Sequence, residues 1–403
     1  MIIDYGRPQD TFRFFGYIRP AMILIIILTL FIFRNLRLVT QKIFSIRLIW
    51  CFILILAIQI PFARNNRYAY NTMNTMLIAM PFILSCYAVI TSTNRFKRII
   101  LIAVCLMAYQ AQHAITHGGH GSGNVFLDEN DLALFINTWL PFCLALFLSE
   151  KGFWKKTLFG IFMVLGLAAD VVSFSRGGFM GLIAMVAVFW IFSPKKLLTL
   201  GILILGAVLV IIVSSLASSG KISHQKNRSF WGEMATSKNA QSGTAKERVE
   251  SWKAGWRMFL ANPLGIGGNN FQVRFPEYQD NEYFRRGMWG RVAHSLWFTL
   301  IPETGIFGII VYLLLLFANI KAIFKLRKYA KILPEEDAKF LKNISVAFLA
   351  SFAGFFASAT FLAVLYYPHY WYLTGLLVAI TLISTNKIET GTDKKELNVV
   401  QEA

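Results

Sequence analysis

The chain has 403 residues, enough for two or three soluble domains, yet 56% of it is AVILMFWYC, only 15% is DEKR and the mean hydropathy is +0.54. Too few polar side chains remain to coat a globule of that size, since soluble chains are about a quarter charged. A cytosolic enzyme, a secreted domain and a disordered chain are thereby excluded.

Apolar runs of about 20 residues match the hydrocarbon thickness of a bilayer, and about eleven follow in chain order: 16–33, 48–62, 73–91, 99–115, 131–149, 157–174, 177–192, 197–216, 300–324, 344–365 and 370–385. They lack the ten-residue alternation of a barrel, and backbone in lipid must bond internally, so helices are expected. The predicted fold is an all-α polytopic membrane bundle. Its parts are an N-terminal bundle over 1–216, a long loop with amphipathic helices over 217–299, C-terminal spans over 300–385 and a tail over 386–403. Cys51, Cys86, Cys105 and Cys143 fall inside apolar runs with no CxxC spacing, so neither a disulfide nor a thiolate metal site is expected. The first 20 residues lack the layout of a cleavable signal peptide.

Lys and Arg set the sidedness. One set of connections runs from Arg34 through Arg95, Lys151, Lys195 and the 321–342 stretch to Lys395, and holds 22 of the 40 basic residues. The other face holds six in short segments: Arg7, Arg13, Arg19, Arg64, Arg67 and Arg176. The first set is therefore expected in the cytoplasm with the C-terminus, and the 217–293 loop outside. Much of the net charge of +19 is then topology, not a nucleic-acid surface. This orientation puts the N-terminus outside with no span to carry it there. Either 5–20 re-enters the membrane or a twelfth helix lies upstream.

Several residues carry candidate chemistry. His113, His117 and His120, followed by Asp128-Glu129-Asn130-Asp131, have loosely metal-like spacing, but their glycine-rich setting favours a loop that binds sugar hydroxyls or caps the next span. Asp170 lies at the edge of a span, six residues before Arg176, and its plain role is to orient or neutralise that arginine. Arg176, in Ser173-Phe174-Ser175-Arg176-Gly177-Gly178, sits in a tight turn at the start of a helix. Guanidinium, glycines and a helix N-terminus together suit phosphate; the plainer alternative is an interfacial, snorkelling Arg. The 217–243 segment is Ser/Asn/Lys-rich and expected to be mobile. From Ala245, the residues Val249, Trp252, Trp256 and Phe259 recur at helical spacing. They describe a helix that either lies along the membrane interface or packs within the loop. Gly265-Ile266-Gly267-Gly268 ends this helix and lacks the context of a nucleotide loop. A second helix is expected from near Arg291 through His294. Arg248 and Arg291 add cations at the same depth, and His294 offers a base near neutral pH that neighbouring arginines would keep unprotonated. Glu303, after Pro302, is read as a cap on its span.

The stretch Arg248-Val-Glu-Ser-Trp252-Lys-Ala-Gly-Trp256 through Asn262-Pro263-Leu-Gly265-Ile-Gly267 resembles the outer loop of the bacterial O-antigen ligase and polymerase family. So do Ala293-His294-Ser-Leu-Trp through Glu303-Thr-Gly305 and the Ser175-Arg176-Gly177 turn. Residues 121–134 and Tyr366-Tyr-Pro-His-Tyr-Trp371 are closer to its O-glycosylation ligase branch. The resemblance spans roughly 100–380, and members usually carry about a dozen spans. It implies transfer of a glycan from undecaprenyl diphosphate to a glycan, lipid or protein acceptor. The reaction would take place on the outer face of the bacterial inner membrane, among membrane lipids, with no cofactor and no metal. By matching position Arg176 and Arg248 would grip the diphosphate and His294 would take the acceptor's proton; the charge and placement of the residues themselves add Arg291 to the diphosphate set and Asp170 and Glu303 as supports. The rival class is a lipid-glycan flippase or other transporter. It predicts an ionisable path through the spans, and few such residues are found there.

Overall fold

The computed structural model of the chain describes residues 1–11, 13–35, 43–218, 243–280 and 286–401. Secondary structure among them is entirely helical. In chain order the helices are α1 (Ile2–Gly6), α2 (Pro8–Thr11), α3 (Arg13–Ile18), α4 (Pro20–Arg34), α5 (Phe44–Gln59), α6 (Asn66–Val89), α7 (Thr93–Thr116) and α8 (Glu129–Ser149). They continue with α9 (Phe153–Val172), α10 (Arg176–Phe192), α11 (Lys196–Ser218), α12 (Gly243–Ala261), α13 (Phe271–Tyr278), α14 (Leu296–Tyr329), α15 (Glu335–Ala359) and α16 (Pro368–Gln401). Each of the eleven apolar runs coincides with one of α4–α11 or α14–α16. Nine of the described helical segments are long and apolar enough to cross a membrane. The other two runs fall in α10, which is short at 17 residues, and α9, which carries Lys155, Lys156 and Asp170. The 219–242 stretch, expected to be mobile, lies outside the described residues.

Several helices begin before hydropathy alone suggests, because polar caps start them. Asn65 accepts from the Tyr68 N–H at 3.1 Å ahead of α6, and Ser92 accepts from Arg95 N–H at 3.3 Å ahead of α7. Three acids in the first turn of α15 meet the positive end of its dipole.

α8 forms the centre, buried on all sides from Leu132 to Leu146. α10 and α15 close on it through small residues. A methyl group at Gly181 would overlap the Ser358 hydroxyl and come within 2.8 Å of the Gly354 carbonyl. Without a hydrophobic drive between helices in lipid, such close approach is how they gain packing energy. Asn137 of α8 crosses the seam and donates to the Gly178 carbonyl at 2.7 Å. α4, by contrast, has no buried residue and exposes Leu24, Ile26, Ile27 and Leu30, as suits a helix whose solvent is hydrocarbon.

Of the 5–20 segment, Tyr5 is inserted among the spans. It is 1% exposed, stacks on His369 at 5.3 Å and meets Phe135 at 4.8 Å. Gln110 holds its carbonyl at 2.6 Å and also bonds both backbone groups of Ser122.

α12 and α13 form a layer over one end of the bundle, around Ala254, Met258, Phe271, Phe275, Met288 and Ala293. The packing face of α12 is thus the small-residue side, not the aromatic stripe. Along that stripe Val249 is 37% and Trp256 48% exposed, while Trp252 turns inward and stacks on Phe298 at 5.3 Å.

Candidate anion and base site

Arg176 owes its place to the turn between α9 and α10. Phe174 takes a left-handed backbone, φ 52°, which lets the chain reverse within three residues. Ser173 donates to the Asp170 carbonyl at 2.7 Å, and Ser175 caps α10 by accepting from Gly178 N–H at 2.9 Å. The Ser175 hydroxyl also donates to Asn130 at 2.7 Å. Asn130 is in turn fixed by Asp128, whose carboxylate accepts from both its backbone N–H (2.7 Å) and its side-chain amide (2.9 Å). The acidic loop therefore caps α8 and is linked directly to the Arg176 turn.

His294 comes from the other layer. Its backbone is also left-handed, φ 47°, an uncommon state for a residue with a Cβ. Two contacts hold it: Trp252 donates its indole N–H to the Ala293 carbonyl at 3.1 Å, and Ser295 caps α14 by accepting from Phe298 N–H at 3.4 Å. Backbone strain of this kind persists where surroundings over-determine it, and functional sites are where it concentrates.

The charges of the two layers act on one another. Burial depresses the Arg248 guanidinium, the nearby Arg176 depresses it further, and Asp128 opposes them. Burial likewise holds His294 below the usual imidazole range, with Arg248 and Arg291 adding to the depression and Asp128 and Glu247 opposing it. Arg176, Arg248, Arg291 and His294, from three separate stretches of sequence, thus share one field with two carboxylates. Most other cations of the layer are neutralised: Arg257 pairs with Asp280 at 2.6 Å, Arg274 with Glu277 at 3.0 Å and Lys253 with Glu250 at 2.9 Å. Arg291 is engaged by Glu247. Half-buried Arg248 has no carboxylate at ion-pair distance among the described residues. Half-buried Arg248, acted on by Arg176 and itself acting on an imidazole held below its usual range, provides groups that can receive an anion and deprotonate a neighbouring hydroxyl.

Glu303 has a different place from the one expected. Ser295, not Glu303, caps α14. Glu303 is 2% exposed and accepts from the backbone N–H of Asn269 (2.8 Å) and Phe271 (3.1 Å) and from the Tyr366 hydroxyl (2.8 Å). It pins the 262–271 loop to α14. The pin works because Gly305, φ 64° and ψ −167°, breaks the helix there. The freed groups are taken up by the loop: Ile266 N–H donates to Pro302, Gly267 N–H to Glu303 and Ile306 N–H to the Pro263 carbonyl, all at 2.9–3.0 Å. Gln59 closes the joint on the carbonyls of Leu264 (2.7 Å) and Thr304 (3.1 Å). A Cβ on Gly305 would meet the Pro263 carbonyl at 2.6 Å, so this crossing requires glycine. Irregular backbone at membrane depth is tolerated only when satisfied by protein in this way.

Asp170 also departs from expectation. It is 2% exposed, no arginine acts on it among the described residues, and one of its oxygens has no hydrogen-bond partner. That oxygen lies where a Cβ on Gly178 would meet it at 3.1 Å. The last turn of α9 points it into the α8–α10 seam, away from a neutralising role at Arg176. In the histidine loop, ring nitrogens of His113, His117 and His120 sit on the carbonyls of His120, His113 and Leu127 at 2.8–3.2 Å. Among the described residues no three His, Cys, Asp or Glu side chains are grouped to hold a metal.

Two participants were not singled out from sequence as site residues: Glu247 and Trp252. Asp128 belongs to the acidic loop expected from sequence to bind sugar hydroxyls or cap the next span, and it caps α8. Glu247, one residue before Arg248, carried no signal.

A polytopic helical bundle with clustered arginines and a neutral histidine at one end defines the class of this protein. The O-antigen ligase family model matches residues 161–313, the stretch that supplies Arg176, Arg248, Arg291, His294 and Glu303. The match supports a function of the glycan ligase or polymerase type. No curated protein matches the chain.

Proposed function

We propose that the chain transfers a glycan from undecaprenyl diphosphate to an acceptor hydroxyl on the outer, periplasmic face of the bacterial inner membrane. The observation that carries this reading is the shared electrostatic field of Arg176, Arg248, Arg291 and His294. The acceptor, whether a lipid, a protein or a growing glycan, approaches His294. Imidazole takes its proton, the oxygen attacks the anomeric carbon, and the bond to the diphosphate breaks with its electron pair left on the phosphate. Arg176 and Arg248 neutralise the charge that develops there, a task that in their presence needs no metal. Attack from the side opposite the departing phosphate inverts the anomeric centre.

The arginines play a second part. Before the donor binds, burial lowers the basicity of His294, and Arg248 and Arg291 lower it further. A bound diphosphate offsets their charge and raises the basicity of the imidazole at the moment it is needed. Glu303 supports from a distance by fixing the loop that leads out of α12.

Reconstitution into vesicles with purified lipid-linked glycan and acceptor tests the reading. Transfer that persists with EDTA and without translocation is the expected result; translocation without transfer would instead identify a flippase. Retained transfer in His294→Ala would remove this residue as the base.

A further inference from the structure

A cavity lies at the other end of the bundle, and the transfer reaction gives it no role. It measures about 660 Å³ and opens where the starts of α7, α9 and α15 meet the end of α8. α8 runs from Asp128 at the arginine site to Ser149 at this cavity, about 30 Å at 1.5 Å per residue. The two sites therefore face opposite membrane surfaces.

Five cations line the cavity, Lys97, Arg98, Lys151, Lys155 and Lys339, against three acids. Two of the acids, Glu335 and Glu336, occupy the first turn of α15, where the helix dipole offsets their charge. The third, Glu150, faces Lys155 at 3.7 Å. No carboxylate lies at ion-pair distance from Lys97, Arg98, Lys151 or Lys339 among the described residues. Lys97 instead sits over the Phe340 ring at 4.8 Å, and Lys339 donates to the Ser149 carbonyl at 3.1 Å. Lys151, Lys156 and Lys195 all act on Lys339 as like charges, and Glu150 alone opposes them. Beneath the cations the wall is apolar: Phe159 and Phe340 are buried, and Leu101 lines the cavity while lying 37% exposed on the flank of α7.

A cationic mouth over an apolar floor, between membrane helices, fits one ligand chemistry. We propose that this cavity binds the phosphate-bearing headgroup of an anionic phospholipid, with its acyl chains passing Leu101. A free phosphate shares the charge but gains nothing from Phe159, Phe340 and Leu101.

Native mass spectrometry of the full chain, titrated with phosphatidylglycerol, phosphatidylcholine or inorganic phosphate, tests this. The double variant Arg98→Gln/Lys339→Gln is compared with Lys321→Gln/Lys325→Gln. The latter residues line a smaller cleft of about 420 Å³, formed by α5, α14 and α16, and their loss removes the same charge. The first pair is expected to weaken phosphatidylglycerol binding about tenfold or more, and the second less than about twofold. Phosphatidylcholine should not compete. Equal loss in the two variants, unchanged binding in the first, or equal affinity for phosphatidylcholine overturns the proposal. Inorganic phosphate that displaces the lipid and shows the same variant dependence overturns its lipid part.

Discussion

The α8–α10–α15 core and the α12–α14 layer hold the proposed site in different ways. The core is regular helix, closed by small residues at Gly177, Gly178, Gly181 and Gly354 and tied by Asn137. It fixes Arg176 at a capped helix start. The layer is irregular: Asn269 and His294 have left-handed backbones, Gly265, Gly267 and Gly305 have positive φ, and the broken part of α14 is rebuilt by the loop it meets. It delivers Arg248, Arg291 and His294. A rigid wall thus presents one cation, and a strained cover brings the base and the remaining cations to it. Hydrogen bonds that are individually modest can hold strain when they are many and shielded from water, as the buried and part-buried ones of Glu303, Gln59 and Asn270 are.

That contrast can be broken at either side. His294→Ala should lower turnover about 10²–10⁴-fold, the usual worth of a positioned base, with donor affinity changed only a few-fold; an equal loss of affinity would make His294 a binding residue. Arg176→Ala and Arg248→Ala should each lower kcat/KM about 10–10²-fold, from a charge-assisted contact of about 1.5–3 kcal/mol, and Lys should restore part of it. Gly181→Ala and Gly305→Ala separate the two regions by stability and activity. The first overlaps Ser358 across the core seam and should lower thermal stability by about 1–3 kcal/mol. The second disturbs only the α14 crossing and should reduce turnover more than it reduces stability. Arg291→Ala should have the smallest effect, a few-fold, because Arg291 is 46% exposed and already engaged by Glu247.

The pH profile sharpens the same point. A base works only when unprotonated, and His294 in the free protein lies below the usual imidazole range. Activity expressed as kcat/KM should therefore hold as pH falls past about 6.5 and be lost only below that. The acid limb of kcat should lie at higher pH, because bound diphosphate offsets the arginines. Coincident limbs would show that the donor does not reach the field around His294.

Much of this architecture was readable from the amino acids. Bilayer thickness imposes a length on every apolar run, so all eleven coincide with helices. The Ser-Arg-Gly turn was also readable, because capping and φ constraints are local. What was hidden depended on distant partners. Glu303 looked like a cap because its real partners, Asn269, Phe271 and Tyr366, are more than thirty residues away on either side. Asp170 was close to Arg176 in sequence, but its carboxyl is buried beside Gly178 in the α8–α10 seam. In α12 the aromatic period was correct as a helix signal and misleading as a packing face. Ala254, Gly255 and Met258 let the helix sit close to Phe271 and Phe298, while Trp256 stays outside.

The account turns on whether Arg176 of the core and Arg248 of the layer hold the same diphosphate. A double-mutant cycle on binding of a short-chain polyprenyl diphosphate measures this directly, using Arg176→Ala, Arg248→Ala and the combined variant. Shared contact predicts a coupling of about 0.5–3 kcal/mol between the two losses. A single variant that binds the diphosphate as tightly as the parent would mean that its guanidinium serves a different ligand.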